Sequence, residues 1–81
     1  MIIEIKLFAV ARQLADAETV SLEVPAGASL AEVRTALADR VPELADLAAQ
    51  VRFAVNAAYA DDATPIREGD EVAMIPPVSG G

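Results

Sequence analysis

Hydrophobic and polar residues alternate from the first positions of the chain. In IIEIKLF, Ile3, Ile5 and Leu7 fall on one side and Ile2, Glu4, Lys6 and Phe8 on the other. A period of two with β-branched residues predicts a strand buried on one face. TVSLEV repeats the pattern, with Val20, Leu22 and Val24 inward and Thr19, Ser21 and Glu23 outward. Between them AVARQLADAE is too short for a long helix and reads as a wide connection, with Leu14 tucked against the core.

The period changes after PAGAS. Ser29 with Glu32 three residues later is a capping-box pattern that satisfies the free amides of a helix start. Leu30, Val33, Leu37 and Val41 then recur at spacings of three and four and form one apolar stripe, with Arg34, Asp39 and Arg40 largely on the other side. Pro42 ends the helix by excluding helical geometry from the residue before it. PELADLAAQ has room for one or two further turns, with Leu44 and Leu47 inward. VRFAV predicts a third strand with Val51, Phe53 and Val55 on one face, and a short strand is possible around Ala58–Ala60. In REGDEVAMI, Gly69 suits the positive φ of a tight turn. The last strand follows, with Val72 and Met74 on one face and Glu71, Ala73 and Ile75 on the other.

The element order is thus β, β, α, β, a possible short β, and β, with no internal repeat and no linker. It predicts a single α+β domain spanning 1–81 with its helix on one face of the sheet. The first and last strands are both apolar inward. A mixed sheet with those two central and parallel, the β-grasp arrangement of ubiquitin, is one topology this order admits.

Composition narrows the chemistry. The chain has 81 residues, and a core of that size leaves only ~3–5 kcal/mol of net stability. Neither cysteine nor histidine is present, which removes disulfides, thiolate sites and the commonest general base and metal ligand. A net charge of -7 argues against nucleic acid and against anionic lipid, and suits a basic protein partner. Charges interrupt the apolar run of MIIEIKLFAV, as they would not in a signal peptide, and no stretch approaches the ~18 apolar residues of a membrane span. The expected location is cytoplasmic.

What remains is the ending, EVAMIPPVSGG. Pro76 and Pro77 have φ fixed near -65° and make a stiff spacer after the strand. Gly80 and Gly81 lack a β-carbon and fit where any side chain would clash. The reactive group of such a tail is the α-carboxylate of Gly81, ionised at neutral pH with a reference pKa of ~3.3–3.7 and a poor acyl electrophile. It needs activation by another enzyme, for instance as an acyl-adenylate made with ATP, after which it can accept sulfur or acylate a lysine. The chain itself offers no base or nucleophile for this and reads as a carrier.

GDEVAMIPPVSGG, with FAVARQL near the start and FAVNAAY before the last turn, resembles the small subunits of molybdopterin synthase over essentially the whole chain. PPVSGG is the most specific part. The resemblance implies the β-grasp fold, with one main helix on one face of a mixed sheet and a projecting tail at 76–81. It also implies a sulfur carrier of molybdenum-cofactor biosynthesis, without catalytic residues, metal or bound cofactor of its own. An E1-like enzyme consuming ATP adenylates Gly81, and sulfur from a sulfurtransferase donor replaces AMP to give a thiocarboxylate. Pro76, Pro77, Val78, Ser79 and Gly80 carry it into the large subunit, where the sulfur passes to a cyclic pyranopterin precursor. The family assembly is a heterotetramer.

Phe8 and Ile75 point away from the inward face and share the outer one with Ala73, forming either a docking surface or a small second cluster. The resemblance implies docking, and Tyr59 matches a further apolar contact of the family. Asp61 and Asp62 read as solvated turn residues rather than a cation site, and Arg12, Arg34 and Arg52 as surface ion-pair partners. Three alternatives share the tail: a sulfur carrier for thiamine synthesis, a ubiquitin-like modifier joined to lysine through Gly81, and a plain interaction module whose tail has no role.

Overall fold

A computed structural model of the chain describes residues 1–76. Strand β1 (Ile2–Leu7) follows the predicted alternation, its odd positions buried and its even ones exposed. It pairs antiparallel with β2 (Thr19–Glu23), which sets Ile3 opposite Leu22 and Ile5 opposite Val20. On its other side β1 runs parallel to β5 (Val72–Ile75), with Ile5 beside Val72 and Leu7 beside Met74. Strand β3 (Arg52–Val55) is antiparallel to β5 and forms a hairpin with the short β4 (Ala58–Ala60). The order across the sheet is β2-β1-β5-β3-β4. The first and last strands, β1 and β5, lie side by side within the sheet and run parallel, the topology the element order admits.

Helix α2 (Leu30–Arg40) closes one face of this sheet. Both arms of the capping box form: the Glu32 N–H donates to Ser29 Oγ at 3.3 Å, and the Ser29 N–H to Glu32 Oε1 at 3.2 Å. Leu30, Val33 and Leu37 are fully buried against Ile5, Phe53, Val72 and Met74 in one continuous core. After α2 comes a 3₁₀ turn (Pro42–Leu44) and helix α3 (Ala45–Gln50), burying Leu44 and Ala48 while Leu47 stays half-buried. No described helix covers the opposite face of the sheet.

Two sequence expectations are corrected. The segment after β1 is a helix, α1 (Ala9–Ala15), and Leu14 does not enter the core but is 46% exposed. The residues that meet the body are Ala11, fully buried, and Ala15, half-buried, four positions apart on one stripe. Leu14 stands about 100° round the helix from Ala15 and so turns away. Arg34 is the second correction. Its side chain is only 19% exposed, and it reaches under α3 instead of standing in solvent. There Nη1 donates to the carbonyls of Ala48 and Val51 at 2.6 and 2.7 Å. These belong to the end of α3, where carbonyls lack intrahelical partners. Among the described residues, no helix is long and apolar enough to cross a membrane.

Candidate functional site

The open face of the sheet collects the outward residues of four strands. Their registers set Lys6 beside Ala73, Ala73 beside Ala54, and Ala54 beside Tyr59. One step along, Ile75 is opposite Arg52, and Phe8 extends the outward row of β1 beyond Lys6. The small alanines leave a shallow hollow, with Phe8, Ile75 and Tyr59 as its apolar walls and Ala57 and Glu71 at its rim. Phe8 is 47% and Tyr59 58% exposed. Rings so placed add little to the core and present a continuous apolar surface.

The hollow has charged borders. Lys6 Nζ lies 3.3 Å from a Glu71 carboxylate oxygen. The Arg52 guanidinium lies over the Tyr59 ring, 4.0 Å from its centroid, a cation–π contact across the rim of the hollow. Arg52 is therefore a stacking partner within this face and not a scattered ion-pair residue. The sequence contains one signal of this: alternation opposite Val51, Phe53 and Val55 puts Arg52 and Ala54 on the outer face. Periodicity fixes a face, however, and does not reveal which ring a cation will cover.

Local backbone geometry shapes the same surface. Phe8 occupies the N-cap position of α1 in extended conformation, and the next residue, Ala9, has φ 51°. Asn56 and Ala57, the two loop residues of the β3–β4 hairpin, have φ 51° and 68°. The Asn56 side chain ties that hairpin to the turn before β5. It donates to Asp70 Oδ1 at 2.9 Å and accepts the Glu71 N–H at 2.9 Å. Asp70 also accepts the Arg67 N–H at 2.8 Å, and these two bonds hold its carboxyl below the usual aspartate range. Gly69 takes φ 89° in this turn, as its glycine predicts. The GDEV segment thus fixes where β5 begins, and with it the position of Ile75.

Phe8, Tyr59 and Ile75, chosen from the sequence, are brought together here. Of the tail, Pro76 is buried where it follows β5. A proline beside a central strand has only the body to pack against on leaving the sheet. Pro77, Val78, Ser79, Gly80 and Gly81 lie outside the described residues. Asp61 and Asp62 are engaged within the fold. Asp61 Oδ1 accepts from the Ala63 N–H and the Thr64 hydroxyl, and Asp62 Oδ1 accepts from Arg34. Among the described residues, no group of three or more acidic side chains is placed to hold a metal ion.

A mixed five-stranded sheet with a parallel central pair, crossed on one face by a single long helix, defines a ubiquitin-like β-grasp protein. Its last strand, β5, is followed by the C-terminal residues. The chain belongs to the ThiS family, whose sequence model matches residues 5–81. It is 34% identical over 79 residues to the molybdopterin synthase sulfur carrier subunit of Arabidopsis thaliana, covering 98% of this chain and 82% of that one. To the human protein of the same name it is 32% identical over 82 residues, covering 98% and 93%. The crystal structure of SAMP1 from Haloferax volcanii superposes with a TM-score of 0.88 at 30% identity over the whole of both chains. The family and fold read from PPVSGG and the strand pattern are those found.

Proposed function

We propose that this chain is the sulfur-carrying small subunit of a molybdopterin synthase. Near-full-length identity to sulfur carrier subunits of that enzyme is the observation that carries the reading. The open-face hollow supports it by supplying an apolar docking surface beside the strand that leads to the tail.

In this reading the chain docks through Phe8, Tyr59 and Ile75 and performs no catalysis itself. An E1-like partner binds it and uses ATP to convert the Gly81 carboxylate into an acyl-adenylate. AMP is a far better leaving group than oxide, so sulfur supplied by a sulfurtransferase donor displaces it and leaves a thiocarboxylate. The same face then docks on the large subunit, and residues 77–81 carry the sulfur to a cyclic pyranopterin precursor. Two deliveries build the two sulfurs of the dithiolene. The assembly proposed is a heterotetramer of two large and two small subunits, working in the cytoplasm. The anchor of the tail is the buried Pro76, so the reach of the sulfur is set by residues 77–81 alone.

A second reading has its own support. The Haloferax structure that superposes so well is that of a small archaeal modifier protein, which favours a modifier joined to lysine through Gly81. A thiamine-pathway carrier would use the same thiocarboxylate. Intact-mass measurement on protein from its own cells separates the carrier readings from the modifier. An oxygen-to-sulfur mass increase on Gly81 is expected, and a ladder of larger conjugates without it would favour the modifier. Combining the thiocarboxylate form with the large subunit and pyranopterin precursor should yield molybdopterin, and deletion of Gly81 should abolish it. Intact activity after that deletion would overturn the mechanism.

A further inference from the structure

Among the described residues, strand β2 forms one edge of the sheet and is hydrogen-bonded on one side only, to β1. The Leu7 N–H donates to Glu18 O and the Val24 N–H to Met1 O, both at 2.9 Å. With Ile5 opposite Val20 and Ile3 opposite Leu22, these bonds mark 18, 20, 22 and 24 as the positions facing β1. Thr19, Ser21 and Glu23 alternate with them. Their N–H and C=O groups therefore point outward along the free edge, and none has a partner among the described residues.

The edge is not blunted in the usual ways. It has no proline, lysine or bulge within Thr19–Glu23. Beneath it, two adjoining hollows share Glu23, Ala36 and Asp39 and merge into one trough between β2 and α2. Leu22, Val24 and the half-buried Ala36 give the trough an apolar and shallow floor. Glu23, Glu32 and Asp39 line the trough, against a single Arg40.

The geometry points to β2 as a strand-addition site for an extended, basic segment of a protein partner, distinct from the Phe8–Tyr59–Ile75 face. The unpaired backbone groups select an extended chain, since only another strand satisfies N–H and C=O groups in alternation. The floor selects small aliphatic side chains at alternate positions. The acidic rim selects lysine or arginine at the flanks. Charge also argues against a second copy. Antiparallel self-pairing about Ser21 would oppose two acidic troughs on chains of net charge -7. Because β2 and β4 lie at opposite edges, this site remains free when the open-face hollow is occupied.

The test uses the isolated chain and a fluorescent peptide of alternating valine and serine with lysine at both ends. Polarisation should report saturable binding that weakens with salt, and NMR shifts should be largest at the amides of Thr19, Ser21 and Glu23. A glutamate-ended peptide should bind about tenfold more weakly or worse, and N-methylation at alternate peptide residues should abolish binding. Ser21→Pro removes an outward N–H that bonds nothing within the fold, and Ala36→Arg fills the trough. Each should weaken the lysine-ended peptide at least about tenfold. If the proline variant unfolds, the arginine variant and the methylated peptide decide the question. Equal binding of the methylated peptide, or shifts centred on Phe8 and Tyr59, would overturn the assignment. So would self-association of the chain through the same amides. None of these readouts involves Gly81, so they stand or fall separately from sulfur carriage.

Discussion

Phe8 places a benzyl group in water at the start of a helix, where a capping side chain would serve the fold better. It makes no side-chain cap for α1, and nearly half of its surface is exposed. Replacement by aspartate should therefore leave the fold intact or improve it, because aspartate is a favourable N-cap. Binding to a large synthase subunit should fall roughly 30-fold, the loss of a ~2 kcal/mol interface anchor. Calorimetric titration beside a melting curve checks both. A fall in Tm beyond ~8 °C would mean that Phe8 is core after all, since 1 kcal/mol shifts a domain of this size by ~4–8 °C. The face of each such residue was legible in the sequence. Its partner was not. Phe8, Ile75 and Tyr59 are strand or strand-end positions whose side is set by a period of two. Arg52 over Tyr59 and Arg34 under α3 depend on how a long side chain bends, which no period encodes. Leu14 is exposed because a helix this short buries only the Ala11–Ala15 stripe, and apolar identity alone does not decide burial.

At the scale of elements, the hairpin β3–β4 has a local conflict. Its two-residue loop, Asn56–Ala57, has positive φ at both positions, the geometry of a type I′ turn. Asparagine tolerates this. Alanine at φ 68° does not, and its β-carbon costs about 1 kcal/mol that glycine would not incur. Ala57→Gly should thus stabilise the chain by about 0.5 kcal/mol, less than the full strain because glycine also frees the unfolded chain. Urea denaturation should show a higher midpoint at an unchanged slope. A lower midpoint would mean that the Ala57 methyl, at the rim of the hollow, contributes more by packing than it loses by strain. The turn was only partly readable. Val55 and Ala58 flank it in proper alternation, but Asn-Ala is not a hairpin signature. The capping box at Ser29 and the break at Pro42, by contrast, depend on residue type at fixed spacing, and both ends of α2 fall where they indicate. Helix α1 has no such marks. Phe8 is no cap, and a seven-residue helix spans too few turns to show a period.

Over the whole molecule, the inward apolar rows of β1 and β5 were legible and admitted a central parallel pair. Strands β2 and β3 carry the same kind of row, so the pattern alone does not single that pair out. The return of the loop after β4 was not legible. Ile66 is a lone apolar residue between Pro65 and Arg67, yet it is fully buried, its N–H bonded to Ala28 O. Arg34 joins these distant parts. Its guanidinium donates to the end of α3 through Ala48 and Val51, takes Asp62 of that loop through Nε and Nη2 at 3.2 and 3.0 Å, and lies 4.8 Å from the Phe53 ring centroid. One side chain on α2 thereby clamps α3, a loop and the core of the sheet. Arg34→Met keeps most of the apolar stem and deletes every donor, leaving two carbonyls with poor access to water. Each such group costs ~1–3 kcal/mol, and both are only partly buried, so a loss near the low end, roughly 2–3 kcal/mol, is expected. Against ~3–5 kcal/mol in total, that leaves the variant near its unfolding transition, with Tm lowered by ~10–20 °C. Arg34→Lys should recover less than half, because an ammonium lacks the planar fork that serves carbonyls and carboxylate together. If the methionine variant melts within ~4 °C of the parent, the clamp is ornamental, and the core holds α3 and the loop without it.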